Sequence, residues 1–401
     1  MANETPRRGL LSSLRDLVRP PDLQTDEDRS ASRLELFFDL AFVLVVAELA
    51  IALREDVAWE SALAFAGLFA LVWWAWVSAT LYANRFDHDD VVFRLYKLAG
   101  MAAVVGLAAA ATEATGERFA IFVGCQLALR LVLLLQYARV YRHVVDARPV
   151  VRLYLIGVGA GALLWAGSLL VPRPVGFGMW AAAFVVEVLV PLAATRSSSA
   201  VPLHIEHLPE RFALFVILVL GESVAAVAHG LYDADWTASS IPVAVLSFVL
   251  AAALWWSYFD IAGARAKRLL NEAGGERSSN VHDAYIFGQL PLTLGLASVG
   301  AGIELAVVQS GAGEVPTGSR LLLAGGVAVY LASVAVTETG MSARSRRHWW
   351  WPLAAAGLAL LDVVLELPAV AVVGALAALL VAVTVAGMVE RATGELAVDP
   401  V

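Results

Sequence analysis

A single cysteine, Cys125, in 401 residues excludes a disulfide framework and any metal site built from thiolates. Charge is also scarce: Asp, Glu, Lys and Arg make up only 16% of the chain, against about a quarter in soluble domains. What replaces it is oil, with 60% hydrophobic residues and a mean hydropathy of +0.73, more than a soluble core requires. The apolar runs lack the strict polar–apolar alternation of a barrel strand. Backbone groups in lipid must be satisfied internally, so long unalternating runs leave helices as the spanning structure. A basic patch is missing as well, and the net charge of −8 gives no reason to expect a nucleic-acid partner. Residues 1–33 lack the short apolar core and small-residue cleavage site of a secretory leader, and read as a polar cytoplasmic tail.

A helix needs about 20 apolar residues to cross the roughly 30 Å hydrocarbon layer. Twelve stretches qualify: 35–53, 61–82, 92–112, 118–138, 151–171, 176–195, 211–230, 240–260, 284–308, 319–337, 349–366 and 368–389. The expected fold is therefore an all-α, polytopic transmembrane helix bundle whose main partners are membrane lipids. Twenty-two of the Lys and Arg residues fall on the side of both termini and the even-numbered loops. The other side carries Arg54, Arg118, Arg173 and Arg320. The positive-inside rule then puts both termini in the cytoplasm.

The chain also repeats itself. Residues 33–50 align with 211–228 at seven of eighteen positions, among them Arg33/Arg211, Phe37/Phe215 and Leu40/Leu218. Landmarks follow in order: Trp73-Trp74 answers Trp255-Trp256, Tyr96 with Gly106 answers Tyr285 with Gly295, and Arg142-His143 answers Arg347-His348. This reads as two six-helix units, 34–195 and 211–389, joined by a Ser- and Pro-containing cytoplasmic linker at 196–210 and followed by a cytoplasmic tail at 390–401. An even number of spans per unit makes the repeat parallel, related by an axis along the membrane normal.

Ionisable side chains inside spans are costly and usually face a partner or a watery cavity. Glu35 and Asp39 share one face of the first helix, with Glu48 deeper. The segment after the second span supplies Asn84, Arg85, Asp87, His88, Asp89, Asp90 and Arg94. Glu222 lies near the middle of the seventh span beside Gly221, which would let a neighbouring backbone approach, and Ser223. Asp260 closes the eighth span. Lys97, Arg130, Glu187 and Asp362 also lie within spans. The structural reading of these groups is ion pairs and helix caps, with Asp90 and Arg94 as an i,i+4 pair and Arg130 neutralising a nearby acid. The functional reading makes Glu35, Asp39, Asn84, Arg85, Asp87, Asp90, Arg94, Glu222 and Asp260 a substrate- or ion-binding set, with Glu222 approaching a cytoplasmic cavity from deeper in the membrane.

The strings RLELFFDLAFVLVV, WWAWVSATLYANRFDHDD, ERFALFVILVLGESV and LWWSYFD, in that order, resemble the signature segments of the bacterial low-temperature-requirement A family of integral membrane proteins. The resemblance covers residues 31–308, and the last three helices match mainly in hydropathy. It implies a multi-pass protein of the bacterial plasma membrane, named for a cold-growth phenotype, and carries no biochemical activity. Its recurrent polar positions are Glu35, Asp39, Asn84, Arg85, Asp87, Asp90, Arg94, Glu210, Arg211, Glu222 and Asp260.

Two function classes follow. Twelve spans, a parallel repeat and buried carboxylates suit a transporter or channel for a proton, ion or small solute. The alternative is an intramembrane enzyme acting on a lipid or isoprenoid diphosphate. There the tract Asn84, Asp87, Asp89 and Asp90 would hold magnesium, and Trp73, Trp74, Trp76, Trp255, Trp256 and Phe259 would line an apolar chain. The plainer reading of those tryptophans is packing or an interfacial belt. Neither class settles a catalytic residue, a resident metal or a cofactor.

Overall fold

The structure, a computed structural model, describes residues 18–23, 32–87, 90–197, 207–273, 276–342 and 350–393. Both tails in large part, residues 198–206 of the linker, and Arg347-His348 lie outside the described residues. Twelve helices follow in chain order: α1 (Arg33–Glu55), α2 (Trp59–Arg85), α3 (Val91–Ala111), α4 (Phe119–His143), α5 (Arg148–Gly167), α6 (Arg173–Ser197), α7 (His207–Asp233), α8 (Ser240–Glu272), α9 (Glu276–Val308), α10 (Thr317–Met341), α11 (Trp350–Val364) and α12 (Ala369–Ala392). Eleven are long and apolar enough to cross a membrane. The exception among the described residues is α11, whose described part of 15 residues spans about 22 Å at 1.5 Å per residue. The chain is thus a polytopic helical membrane protein.

Helix ends have local causes. Ser32 and Glu35 form a capping box: the Glu35 amide donates to Ser32 Oγ at 3.2 Å and the Ser32 amide to Glu35 Oε2 at 2.9 Å. Asp90 caps α3, accepting the Phe93 amide at 2.9 Å. Within α8 the residues Ser257–Gly263 widen into a π-helical turn, as do Leu321–Gly325 within α10. The helical reading omits one element, a two-residue antiparallel ladder of β1 (Asp22–Leu23) with β2 (Phe86–Asp87), registered Asp22 to Asp87 and Leu23 to Phe86.

The described helices form two compact units. The first takes the start of α1, the second half of α2, and α3 to α6; the second takes the rest of α1 and α2 together with α7 to α12. In the first, Tyr82, Phe86, Tyr137 and Tyr154 build an aromatic core. Tyr82 meets Tyr137 edge-on at 5.0 Å and Tyr137 stacks on Tyr154 at 4.8 Å. In the second, Gly288, Gly295 and Gly302 recur every seven residues along α9, and all face α10. A Cβ on Gly295 would lie 2.7 Å from the Gly326 carbonyl oxygen, and one on Gly302 would lie 2.9 Å from the Leu323 amide. With no apolar driving force between helices in lipid, such close backbone approach is what holds them.

Trp73, Trp74 and Trp76 are buried, whereas Trp255 and Trp256 stand on the outer surface of α8. The two tryptophan pairs that align in sequence therefore serve different environments, packing in one case and the lipid-facing surface in the other.

Candidate functional site

Most of the polar residues singled out from the sequence lie in the first unit, and each described one has an identifiable setting. Glu35 closes the capping box of α1. Asp39, 1% exposed, accepts the Trp76 indole N–H at 2.8 Å. Asn84 is buried. Arg85, also buried, donates to the Tyr154 hydroxyl at 2.8 Å with its guanidinium over the same ring. Asp90 does not take Arg94 as its side-chain ion pair. Its carboxylate is gripped by Arg139 of α4 at both oxygens, 3.0 and 2.5 Å, and Arg94 is exposed. Burial disfavours the charged form of Asp90, but the hydrogen bonds from Arg139 and the Phe93 amide outweigh it and hold the carboxyl below its ordinary range. The side chain of Asp87, with His88 and Asp89, lies outside the described residues.

Deeper in the same unit, α1, α2, α3, α4 and α6 line a half-open pocket with about 30 Å³ of room, bordered by Ser78, Tyr96, Lys97, Arg130, Gln136 and Glu187. A water needs at least 10–15 Å³ of such space, so it holds roughly two. Lys97 is 2% exposed and its ammonium sits 4.3 Å from the centre of the Phe38 ring and 5.6 Å from that of Phe93. Arg130 and Glu187 pair bidentately, Nε to Oε1 at 2.8 Å and Nη2 to Oε2 at 3.1 Å. Arg130 Nη1 donates to the side chain and carbonyl of Gln126 one turn earlier, and the Trp165 ring lies 4.9 Å from the guanidinium. Gly161 of α5 faces Glu187 so closely that a Cβ there would collide with the carboxylate.

In the second unit Glu222 is half-buried, with Arg54, His229 and Glu304 as its charged neighbours. Arg54 Nε meets Glu304 Oε1 at 3.1 Å, which joins the C-terminal ends of α1 and α9. Glu222 thus shares its surroundings with the C-terminal end of α1. The expectation for Gly221 is corrected: a Cβ there would meet nothing within 4 Å, so no described backbone approaches it. The close approach is made from the other side, by Gly300 of α9 against Ser223. Asp260 lies in the π-helical turn of α8, its carbonyl accepting from Arg391 at 3.2 Å. Glu210 is exposed and Arg211 buried.

A family model described as the bacterial low temperature requirement A protein, LtrA, matches residues 30–385. The chain belongs to the LtrA family. It is also 27% identical over 297 residues to an uncharacterized protein of Rhizobium meliloti (strain 1021), covering 71% of each chain.

For this LtrA chain, sequence reasoning placed Lys97, Arg130 and Glu187 inside spans without bringing them together. Arg130 neutralises a nearby acid, as expected, and that acid is Glu187. The available signal was the spacing of Gln126 and Arg130, one turn apart on α4. Nothing in the sequence of α3 or α6 says which way Lys97 or Glu187 faces.

Proposed function

We propose that this LtrA chain is an inner-membrane transporter or channel for a proton, ion or small solute, with both termini cytoplasmic and the cavity of the first unit as its binding point. The observation that carries this reading is the placement of Lys97, Arg130 and Glu187 around one half-open pocket among membrane-spanning helices. An ionisable group at such depth costs about 2.5–3.5 kcal/mol on insertion scales. A purely structural ion pair would be packed shut, whereas these groups border room for solute. The diphosphate-enzyme reading has less behind it: Asp90 gives both oxygens to Arg139, and among the described residues, which leave out the side chains of Asp87 and Asp89, no three His, Cys, Asp or Glu side chains are placed to hold a metal ion.

The duplicated six-helix arrangement belongs to the same reading. A glycine of the third helix leans on the fourth in each half, Gly106 toward Cys125 Sγ and Gly295 toward the Gly326 carbonyl. Superposing α1–α6 on α7–α12 in an experimental structure tests it; a match only after inversion in the membrane plane would rule out a parallel repeat.

Transport is tested in liposomes reconstituted with purified full-length protein, with flux of protons, sodium, potassium and chloride followed separately at both membrane polarities. Flux above empty liposomes should fall roughly tenfold or more in Lys97→Gln, as loss of a charge-assisted contact implies. It should persist in Trp256→Ala, which changes only the outer surface of α8. Vesicles as tight as empty ones to all four ions would end the transport reading for inorganic ions.

A further inference from the structure

The last three turns of α7 carry titratable side chains along one face. Glu222, His229 and Asp233 are spaced by seven and four residues, which returns each to the same side of a helix. Asp233 and His229 are exposed, whereas Glu222, about 16 Å from Asp233 along the helix axis, is half-buried. The stripe leads from water into the second unit.

α9 completes the group from the other side. Gly300 lies against Ser223, and Gly230 against Val307 and the Glu304 carbonyl, so α7 and α9 touch both before and after Glu304. A helical side chain leans toward the N-terminus of its own helix, which tilts Glu304 back over Gly300 toward Ser223. Glu304 is 9% exposed there, and its bonding is incomplete. Oε1 meets Arg54 Nε at 3.1 Å, while Oε2 is shut off from solvent without a hydrogen-bond partner, His229 Nδ1 standing 3.9 Å away. The fully buried Ser223 hydroxyl is likewise unpartnered among the described residues. No described side chain bonds to the Glu222 carboxylate.

Charge is out of balance in the same place. The charged groups that act on Glu222 and Glu304, besides each other, are Arg54 of α1 and the exposed His229 and Asp233 of α7. Water screens the exposed pair and leaves the shielded groups to one another. One guanidinium against two carboxylates leaves a negative charge over, which is costly within a membrane helix. A structural ion pair needs only Arg54 and Glu304, and gives Glu222 no purpose. Among the described residues no cluster of three His, Cys, Asp or Glu side chains is placed for a metal ion. A proton asks for a single oxygen, and Glu304 Oε2 is one.

We infer that Glu222 and Glu304 form a proton-binding site, holding one exchangeable proton between them that arrives from water by way of Asp233 and His229. In the loading step an N–H bond of the His229 imidazolium breaks, an O–H bond forms on Glu304 Oε2, and the neutral imidazole takes its next proton from water. Rotation of the exposed ring, or one bridging water, closes the 3.9 Å separation. The Ser223 hydroxyl suits both states of the site, since it donates to a carboxylate and accepts from a carboxyl. The inference deepens the transport reading by naming the proton as an ion this chain handles, yet binding is measured without flux.

The test is infrared difference spectroscopy of the purified full-length protein in detergent at neutral pH, in H2O and in D2O. A protonated carboxyl has a C=O stretch distinct from that of a carboxylate, and it shifts on deuteration. The wild type should show such a band, and Glu222→Gln and Glu304→Gln should each abolish it, because the remaining carboxylate is then balanced by Arg54. Arg54→Gln should strengthen the band roughly twofold, since neither carboxylate then has a guanidinium to balance it. His229→Gln should keep the band and slow its recovery after a jump in pH; an unchanged rate would overturn the entry route. Glu222→Gln alters a side chain without a bonding partner, so it keeps the question open to refutation should Glu304→Gln fail to fold. A wild-type spectrum without the band, or a band equally strong in Glu222→Gln, overturns the site. The band together with proton-tight liposomes would end the transport reading for protons and leave the site standing. Proton flux without the band would do the reverse.

Discussion

The indole N–H of Trp76 donates to Oδ1 of Asp39 at 2.8 Å, and both side chains are almost wholly shielded. This bond ties the start of α1 to the second half of α2. Trp76→Phe keeps the ring and deletes the donor, leaving a buried carboxylate oxygen short of a partner, at a cost of about 1–3 kcal/mol. Asp39→Asn can keep the bond through its carbonyl oxygen and should cost less. Thermal unfolding in detergent should rank the two in that order.

The Arg130–Glu187 pair should behave as a buried ion pair does. Glu187→Leu leaves a guanidinium without its counter-charge and should cost about 3–5 kcal/mol. Arg130→Met added to it should recover most of the loss, because no buried charge then remains uncompensated. A double variant no more stable than the single one in denaturation experiments would contradict that account.

Acid should loosen the clamp between Asp90 and Arg139. The carboxyl is held below its ordinary value, so its contribution to stability is fully present above the unfolded value of about 3.9 and is lost as pH falls through the lower folded one. Asp90→Asn keeps an N-cap acceptor for α3 but lacks the charge. Melting temperature against pH should therefore show a steeper acid limb for the wild type than for Asp90→Asn.

Along α9, Gly295→Ala should destabilise by about 1–3 kcal/mol, since its methyl would press on the Gly326 carbonyl and the Tyr330 amide. Gly221→Ala should be neutral or slightly favourable, with nothing near its Cβ and a better helix former in place. Comparing these two glycines separates close packing from mere helix propensity.

Orientation is open to cysteine labelling with Cys125 replaced by serine. A cysteine at Arg173 should react with an impermeant maleimide from outside intact cells, and one at Arg142 only after permeabilisation. The reverse pattern would overturn cytoplasmic termini.

Hydropathy located all twelve described helices, because long apolar runs have few other uses in a membrane protein, although only eleven of those helices meet the spanning length as described. Helix ends such as Ser32 and Asp90 were less visible, since their side chains carry both capping and site chemistry. The cavity was least legible. α4 and α6 are apolar nearly all round, so no stripe marks the face that Arg130 or Glu187 turns inward. Gly221 misled for the same reason: a glycine in a lipid-facing helix looks no different in sequence from one pressed against a neighbour, as Gly300 is against Ser223. The β1–β2 ladder was beyond reach, because two residues cannot establish an alternation.

That ladder has a practical corollary for handling the protein. Asp22–Leu23 is laced to Phe86–Asp87, and the carbonyl of Arg19 accepts from Arg139, the same guanidinium that grips Asp90. Residues 19–23 thus work as a drawstring, laced to the end of α2 and knotted to the end of α4, more than a hundred residues away in the chain. Trimming to residue 32 for expression would remove none of the twelve described helices and still untie that knot. The loosening should surface first as faster proteolysis at the α2–α3 turn, well before any helix is lost.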